Sequence, residues 1–219
     1  VPPVEAAALL LPILIAMDIV SLWMWRHHGD GRTLRMLLPG GLIGIAIGWA
    51  TSAYVPRDAL KLIIGLIIIV FALRYAWNSW RARQGTVIKP KPQRTGAAAV
   101  LGTFSGYGSF VAHAGGPPFQ IYALPLQLPP RDYTGTIVRF FAILNAVKLV
   151  PYFALGQLEL TNLKTSLTLF PPAMIATAAG AWVVRRMRPQ VFYPFMYTMA
   201  GLAGLKLIHD GAAPMIAGW

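Results

Sequence analysis

The chain of 219 residues contains no cysteine, which excludes disulfides and thiolate chemistry and leaves its redox compartment open. Negative charge is scarce: seven Asp and Glu stand against nineteen Lys and Arg, and charged residues of both signs make up only 12% of positions. Short runs of alternating polar and apolar residues, the mark of a transmembrane barrel, are lacking too. What is abundant is apolar sequence. Hydrophobic residues fill 56% of positions and mean hydropathy is +0.57, more apolar surface than one globular core can hide. These values describe an all-α integral membrane protein.

About 20 apolar residues in helix cross a hydrocarbon layer of about 30 Å. Six stretches qualify: Val4 to Trp25, Leu37 to Val55, Leu60 to Trp80, Thr134 to Leu155, Leu163 to Val184 and Phe192 to Ile208. A seventh, Gly96 to Leu128, is apolar but interrupted, and the positive residues decide its path. Three stretches are basic: Arg26, Arg32 and Arg35; Arg81, Arg83, Lys89, Lys91 and Arg94; and Arg185, Arg186 and Arg188. If residues 96–128 crossed once, the third stretch would face away from the first two, against the positive-inside rule. Entering and leaving on one side puts all three, with Arg131, in the cytoplasm and leaves Arg57, Lys61 and Lys164 outside. The expectation is a re-entrant helical hairpin plus six full spans. The net charge of +12 then orients the protein beside anionic lipid and does not form a nucleic-acid surface. Trp23, Trp25, Trp77 and Trp80 read as interfacial anchors.

An internal repeat agrees with this topology. Val1-Pro-Pro3 followed by Glu5 is echoed by Leu128-Pro-Pro130 followed by Asp132, Asp18 by Asn145, and Pro39-Gly-Gly41 by Pro171-Pro172. The two copies have opposite orientation, the inverted repeat of secondary transporters. Residues 1–80 form the first repeat, 81–95 a basic cytoplasmic connection containing Gly85, Pro90 and Pro92, and 96–219 the second repeat, opening with the hairpin 96–128. The first copy lacks a matching broken segment. The chain also opens at Val1 without a signal-peptide pattern, so a missing N-terminal piece that would carry that segment is expected.

Chemistry concentrates between Ser105 and Pro118. Backbone that leaves helical geometry inside a bilayer survives only where it is buried in protein or lines a cavity. Gly115-Gly116 precedes Pro117-Pro118, and proline suits a first helical turn, so a second half-helix should start here. Its free N–H groups and dipole favour an anion, and Gly106, Gly108, Gly115 and Gly116 allow close approach; tight helix packing by small residues is the alternative. His113 can bind a ligand, carry a proton or simply donate to a carbonyl. Ser105, Ser109 and Gln120 can donate to an oxyanion or satisfy local backbone.

Charge inside a span is costly and is usually paired or functional. Arg74 and Arg139 lie near cytoplasmic ends and can snorkel. Asp18 and Lys148 lie deeper. Asn145 and Lys148 share a helix face, and either approach the hairpin tip together or leave Lys148 to neutralise Asp18. The histidines, His27, His28, His113 and His209, have no carboxylate cluster beside them, so no metal site and no other cofactor is expected.

The motif Ala112-His-Ala-Gly-Gly-Pro-Pro118 with Tyr122, then Thr134-Gly-Thr136 and Asn145, resembles the TauE/SafE sulfite exporter family. The resemblance runs from Val1-Pro-Pro3, Leu11-Pro12 and Asp18 to the last span. It implies a bacterial inner-membrane, multi-pass transporter of small sulfur-containing anions such as sulfite or organosulfonates, and not an enzyme, with two inverted repeats that each begin in a glycine-rich re-entrant segment. Transport of other small organic anions, or an intramembrane enzyme using His113 with Ser109, is the alternative. The expected partners are a small anionic substrate and membrane lipid, with no nucleic acid; a homodimer is compatible with this reading.

Overall fold

Among the described residues every apolar run folds into helix, and there is no strand. The computed structural model describes residues 3–51, 57–83, 90–154 and 160–217. Val1, Pro2, Val55, Gly85, Lys89 and Leu155, which figure in the sequence reading, lie outside the described residues, as do the side chains of Glu5, Arg57, Lys61, Arg83 and Lys164. The helices are α1 (Pro3–Met24), α2 (Gly31–Thr51), α3 (Arg57–Arg83), α4 (Thr95–Ala112), α5 (Gly116–Ala123), α6 (Pro130–Ala154), α7 (Leu160–Arg186) and α8 (Pro189–Ala217), with a 3-10 turn at Leu124–Leu126. Among the described residues α2, α6 and α8 are clearly long and apolar enough to cross a membrane.

Several boundaries differ from the apolar runs. Helix α2 begins at Gly31, ahead of Leu37, because Asp30 caps it: the carboxylate accepts the Thr33 N–H at 3.0 Å. Arg32 and Arg35 therefore lie on the first turns of a helix and not in a loop. In the same way Arg81 belongs to α3, and Arg185 and Arg186 form the last turn of α7, where cations oppose the negative end of the helix dipole. Helix α8 continues past Ile208 to Ala217.

Helix α2 packs most closely on α4 and α3 on α8, while α1 lies against α6 and α7 and α2 also touches α6. The α2–α4 contact is made by absent side chains. Gly40, Gly44 and Gly48 recur every fourth residue on α2, and Gly102 and Gly106 of α4 abut Leu37 and Gly41. A Cβ on Gly44 would collide with the Thr103 carbonyl and reach 2.7 Å from the Tyr107 nitrogen, and one on Gly106 would collide with the Gly41 carbonyl. Small residues let membrane helices approach to backbone contact, where packing and not hydrophobicity supplies the attraction.

The basic stretches gather at one end of the bundle. The Lys91 N–H, just before α4, donates to the Pro125 carbonyl, just after α5, at 2.9 Å. Gln93 donates to the Asp30 carboxylate at 2.6 Å and to Thr33 Oγ1 at 2.9 Å. Arg131 donates to the Arg185 carbonyl at 3.0 Å, and Arg185 in turn to that of Met24. The Asp30 N–H donates to Thr136 Oγ1 at 2.7 Å. Arg139, whose position near a span end suggested snorkelling, is turned inward. Its guanidinium donates to the carbonyls of Arg26 at 2.8 Å, Trp25 at 3.2 Å and, closer still, His28, closing the unpaired C-terminal end of α1. A Cβ on Gly135 would strike the His28 carbonyl, so glycine there lets the turn after α1 sit on α6.

Candidate functional site

The break between α4 and α5 is built residue by residue. Helix α4 stops at Ala112 because His113 turns left-handed, with φ 50°, a conformation uncommon outside glycine but one that histidine, like asparagine and aspartate, adopts more readily than other residues. The Gly108 carbonyl accepts the N–H of His113 and that of Ala114, the latter at 2.9 Å. Ser105 Oγ donates to the Gly115 carbonyl at 2.6 Å, pinning the tip to α4. Helix α5 then starts at Gly116 with Pro117 and Pro118 in its first turn. Those prolines have no N–H, and the Phe119 N–H returns to the Gly115 carbonyl at 3.4 Å. The donors left at this positive helix end are the N–H groups of Gly115 and Gly116, fewer than an ordinary first turn would offer.

The two glycines differ in their surroundings. A Cβ on Gly115 would come within 2.7 Å of Ser109 Cβ and collide with the Ser105 carbonyl. At Gly116 it would meet nothing within 4 Å, so the open side of the tip is at Gly116. Gly106 sits away from that side, in the contact with Gly41, and Gly108 contributes its carbonyl to the break.

Lys148 reaches this tip from α6. It is fully buried, and its ammonium donates to Ser109 Oγ at 3.0 Å and faces the Ser109 carbonyl at 3.4 Å. Asn145, one turn earlier and also buried, donates from Nδ2 to Asp18 Oδ2 at 2.6 Å. No direct Asp18–Lys148 ion pair occurs among the described residues; the two act on one another through space, with Asn145 holding the carboxylate. Lys148 thus meets Ser109 of the broken segment while Asn145 turns to Asp18, so the two do not approach the tip together. Flanking the break are two buried polar atoms with no hydrogen-bond partner, His113 Nε2 and Gln120 Oε1. Burying such groups unpaired costs about 1–3 kcal/mol each, and Lys148 is close enough to His113 for its charge to act on the ring.

The structure thus brings Ser105, Ser109, His113, Gly115, Gly116 and Lys148 together, with Asn145 and Asp18 one turn away. Sequence reasoning missed the Asp30, Gln93 and Thr136 network at the basic end, although Asp30 three residues before Thr33 is a helix-start pattern.

A positive helix end with open backbone donors, met by a buried lysine, is suited to an anion. The chain matches the family model described as Sulfite exporter TauE/SafE over residues 1–207. It belongs to the TauE/SafE sulfite exporter family. No curated protein and no solved structure matches it. Members of this family are membrane transporters, and the apolar helices of this chain agree with a membrane location. The Thr134-Gly-Thr136 motif that carries the resemblance has a structural use here: Gly135 makes room for His28, and Thr136 Oγ1 accepts from Asp30 while donating to the Asp132 carbonyl at 2.6 Å.

Proposed function

We propose that this member exports small sulfur-containing anions, sulfite or organosulfonates, across a bacterial inner membrane, binding them between the Gly115-Gly116 tip and Lys148. The observation that carries the reading is the fully buried Lys148 ammonium, spent on a single serine of the broken segment and without a carboxylate within ion-pair distance among the described residues. A charge so placed is costly unless something compensates it, and an oxyanion at the tip would do so. Ser109 Oγ and the Gly116 N–H supply neutral donors; His113 Nε2 and Gln120 Oε1 gain partners when a ligand or its water arrives.

Further contacts support a topology for this reading. The bond from Lys91 to Pro125 joins the two ends of the broken segment, which supports a re-entrant hairpin, with the basic ends cytoplasmic. Two features support an inverted repeat. Asp18 and Asn145, which occupy equivalent places in the two copies, touch each other, as equivalent residues do at a two-fold axis. The α1–α7 and α2–α6 contacts exchange under that operation, and α1–α6 and α3–α8 map onto themselves. The serine and lysine are within reach of acyl-transfer chemistry, but both are buried, and anion binding uses them without a covalent step.

The test is a double-mutant cycle on purified protein, scored for sulfite flux in liposomes, anion affinity and thermal stability. Lys148→Met should lower affinity by about 10- to 100-fold, the range of one charge-assisted hydrogen bond, with no rescue by Asp18→Asn. Recovery of both stability and affinity in the double variant would make Lys148 a structural counter-charge to Asp18. Flux of other organic anions with none of sulfite or organosulfonate would keep the site and replace the substrate.

A further inference from the structure

A second cationic cavity lies away from the tip, at the basic end of the bundle. It has a volume of about 250 Å³ and lies between α3, α8 and the returning limb of the hairpin, lined by Arg74, Asn78, Lys91, Gln127, Tyr75 and Tyr197 among others. Among the described residues no carboxylate lines it, and neither the Arg74 guanidinium nor the Lys91 ammonium has a hydrogen-bond or ion-pair partner. Tyr75 and Tyr197 form its floor, stacked with ring centroids 3.5 Å apart and planes 5° from parallel.

The same two tyrosines also wall a second hollow. An open groove of about 400 Å³ runs along α3 and α8 beyond them, lined by Ala72, Leu73, Gly201, Leu202 and Leu205. Leu73, Leu202 and Leu205 are more than half exposed, at 64%, 54% and 56%, on a surface that faces hydrocarbon in a membrane. Two cations over polar amides thus continue, through Tyr75 and Tyr197, into an apolar trough. The basic pocket, lined by Arg74 and Asn78 of α3, lies close in sequence to Trp77 and Trp80, which pack on each other at 5.1 Å and are residue types suited to the membrane interface. A small soluble anion has no use for the trough, and a neutral lipid none for the cations.

We propose that the cavity and groove together bind one anionic phospholipid, its phosphate at Arg74 and Lys91 and an acyl chain along the α3–α8 groove. Basic pockets between transmembrane helices on the cytoplasmic side are suited to such headgroups. The site is separate from the tip and requires only that the chain lie in a membrane.

The test is thermal unfolding of the detergent-purified full chain with added phosphatidylglycerol, phosphatidylcholine or inorganic phosphate. Phosphatidylglycerol should raise Tm by roughly 3–6 °C through mass action, and phosphatidylcholine and inorganic phosphate should not. Arg74→Gln with Lys91→Gln should remove that rise, and Arg74→Lys should keep it. Gly201→Leu, where an added Cβ meets only Ala72 Cβ at 3.5 Å, should fill the groove and also remove the rise; Ala72→Leu serves if that variant does not fold. Equal shifts with both lipids, or a rise that persists in the double Gln variant, would overturn the proposal. So would a matching shift with inorganic phosphate that Gly201→Leu leaves intact, since that would be a free-anion site.

Discussion

Two polar clusters brace α6 in this molecule, one against the turn after α1 and the start of α2 and the other against α4, and they differ in how completely their groups are paired. At the basic end, Asp30, Gln93, Thr33, Thr136 and Arg139 exchange hydrogen bonds until the polar groups on the turn after α1 have partners. At the break between α4 and α5, Lys148 has one serine, and His113 Nε2 and Gln120 Oε1 have nothing. A satisfied network gives rigidity, and an unsatisfied one costs stability unless a ligand or water completes it. The contrast teaches where to look for structure and where for binding: damage at the basic end should appear in stability with affinity kept, and damage at the tip in affinity with stability kept.

The sharpest way to break that division is Arg139→Met. It removes the guanidinium from the carbonyls of Trp25, Arg26 and His28, of which Trp25 keeps the His28 N–H, and loss of a network of charge-assisted bonds costs about 3 kcal/mol. Chemical unfolding in detergent should show that loss, while the folded fraction binds anion with unchanged affinity. A large drop in affinity at full stability would mean that the basic end is part of the pathway.

A smaller effect is expected from Asp30→Ala, which removes the cap of α2 and the acceptor for Gln93. Cap removal costs about 1 kcal/mol, within a range of roughly 0.5–2. The same carboxyl carries a pH signature. Burial pushes its pKa up, but hydrogen bonds from Thr33, the Arg32 and Thr33 backbone and Gln93 outweigh burial and hold it below the usual value. A carboxyl with a depressed folded pKa contributes stability that is full above its unfolded value, about 3.9, and is lost as pH falls through the lower folded value. Wild type and Asp30→Ala should therefore differ at pH 6 and draw together only as pH falls below the usual carboxyl value; a constant gap between the two curves would assign the effect to packing.

How much of this was legible beforehand follows from the range of the signals. The break at His113 to Gly116 could be read because glycines and prolines act on their own backbone, and the start of α5 falls where Gly115-Gly116-Pro117 placed it. The early start of α2 was also written locally, in Asp30, but hydropathy hid it, since Arg32 and Arg35 are as polar as a loop. The inward turn of Arg139 was not legible, because its acceptors lie more than a hundred residues away on α1's end. The choice of Lys148 between Asp18 and the tip was equally distant, set by how α6 packs against α4. Gly106 shows the opposite trap: it belongs to a run of tip-like glycines, yet its neighbour is Gly41 across the helix interface.

The smallest expected change in stability is also the most discriminating. Gln120 lies on α5 with Oε1 buried and unpartnered, so replacing it by leucine removes a polar atom that the folded chain does not satisfy, at nearly constant volume. If Gln120 only fills space, Gln120→Leu should leave anion affinity alone and raise stability slightly, since an unpaired buried acceptor opposes folding. If the amide is held ready for a ligand or its water, stability should change by no more than about 0.5 kcal/mol while affinity falls by about 5- to 10-fold, one ordinary hydrogen bond. Measured beside Arg139→Met, the pair forms a double dissociation: one variant loses stability and keeps affinity, the other keeps stability and loses affinity. A Gln120→Leu protein that binds sulfite as wild type does would move the boundary of the site back to Gly116 and leave the orphaned acceptor to local packing.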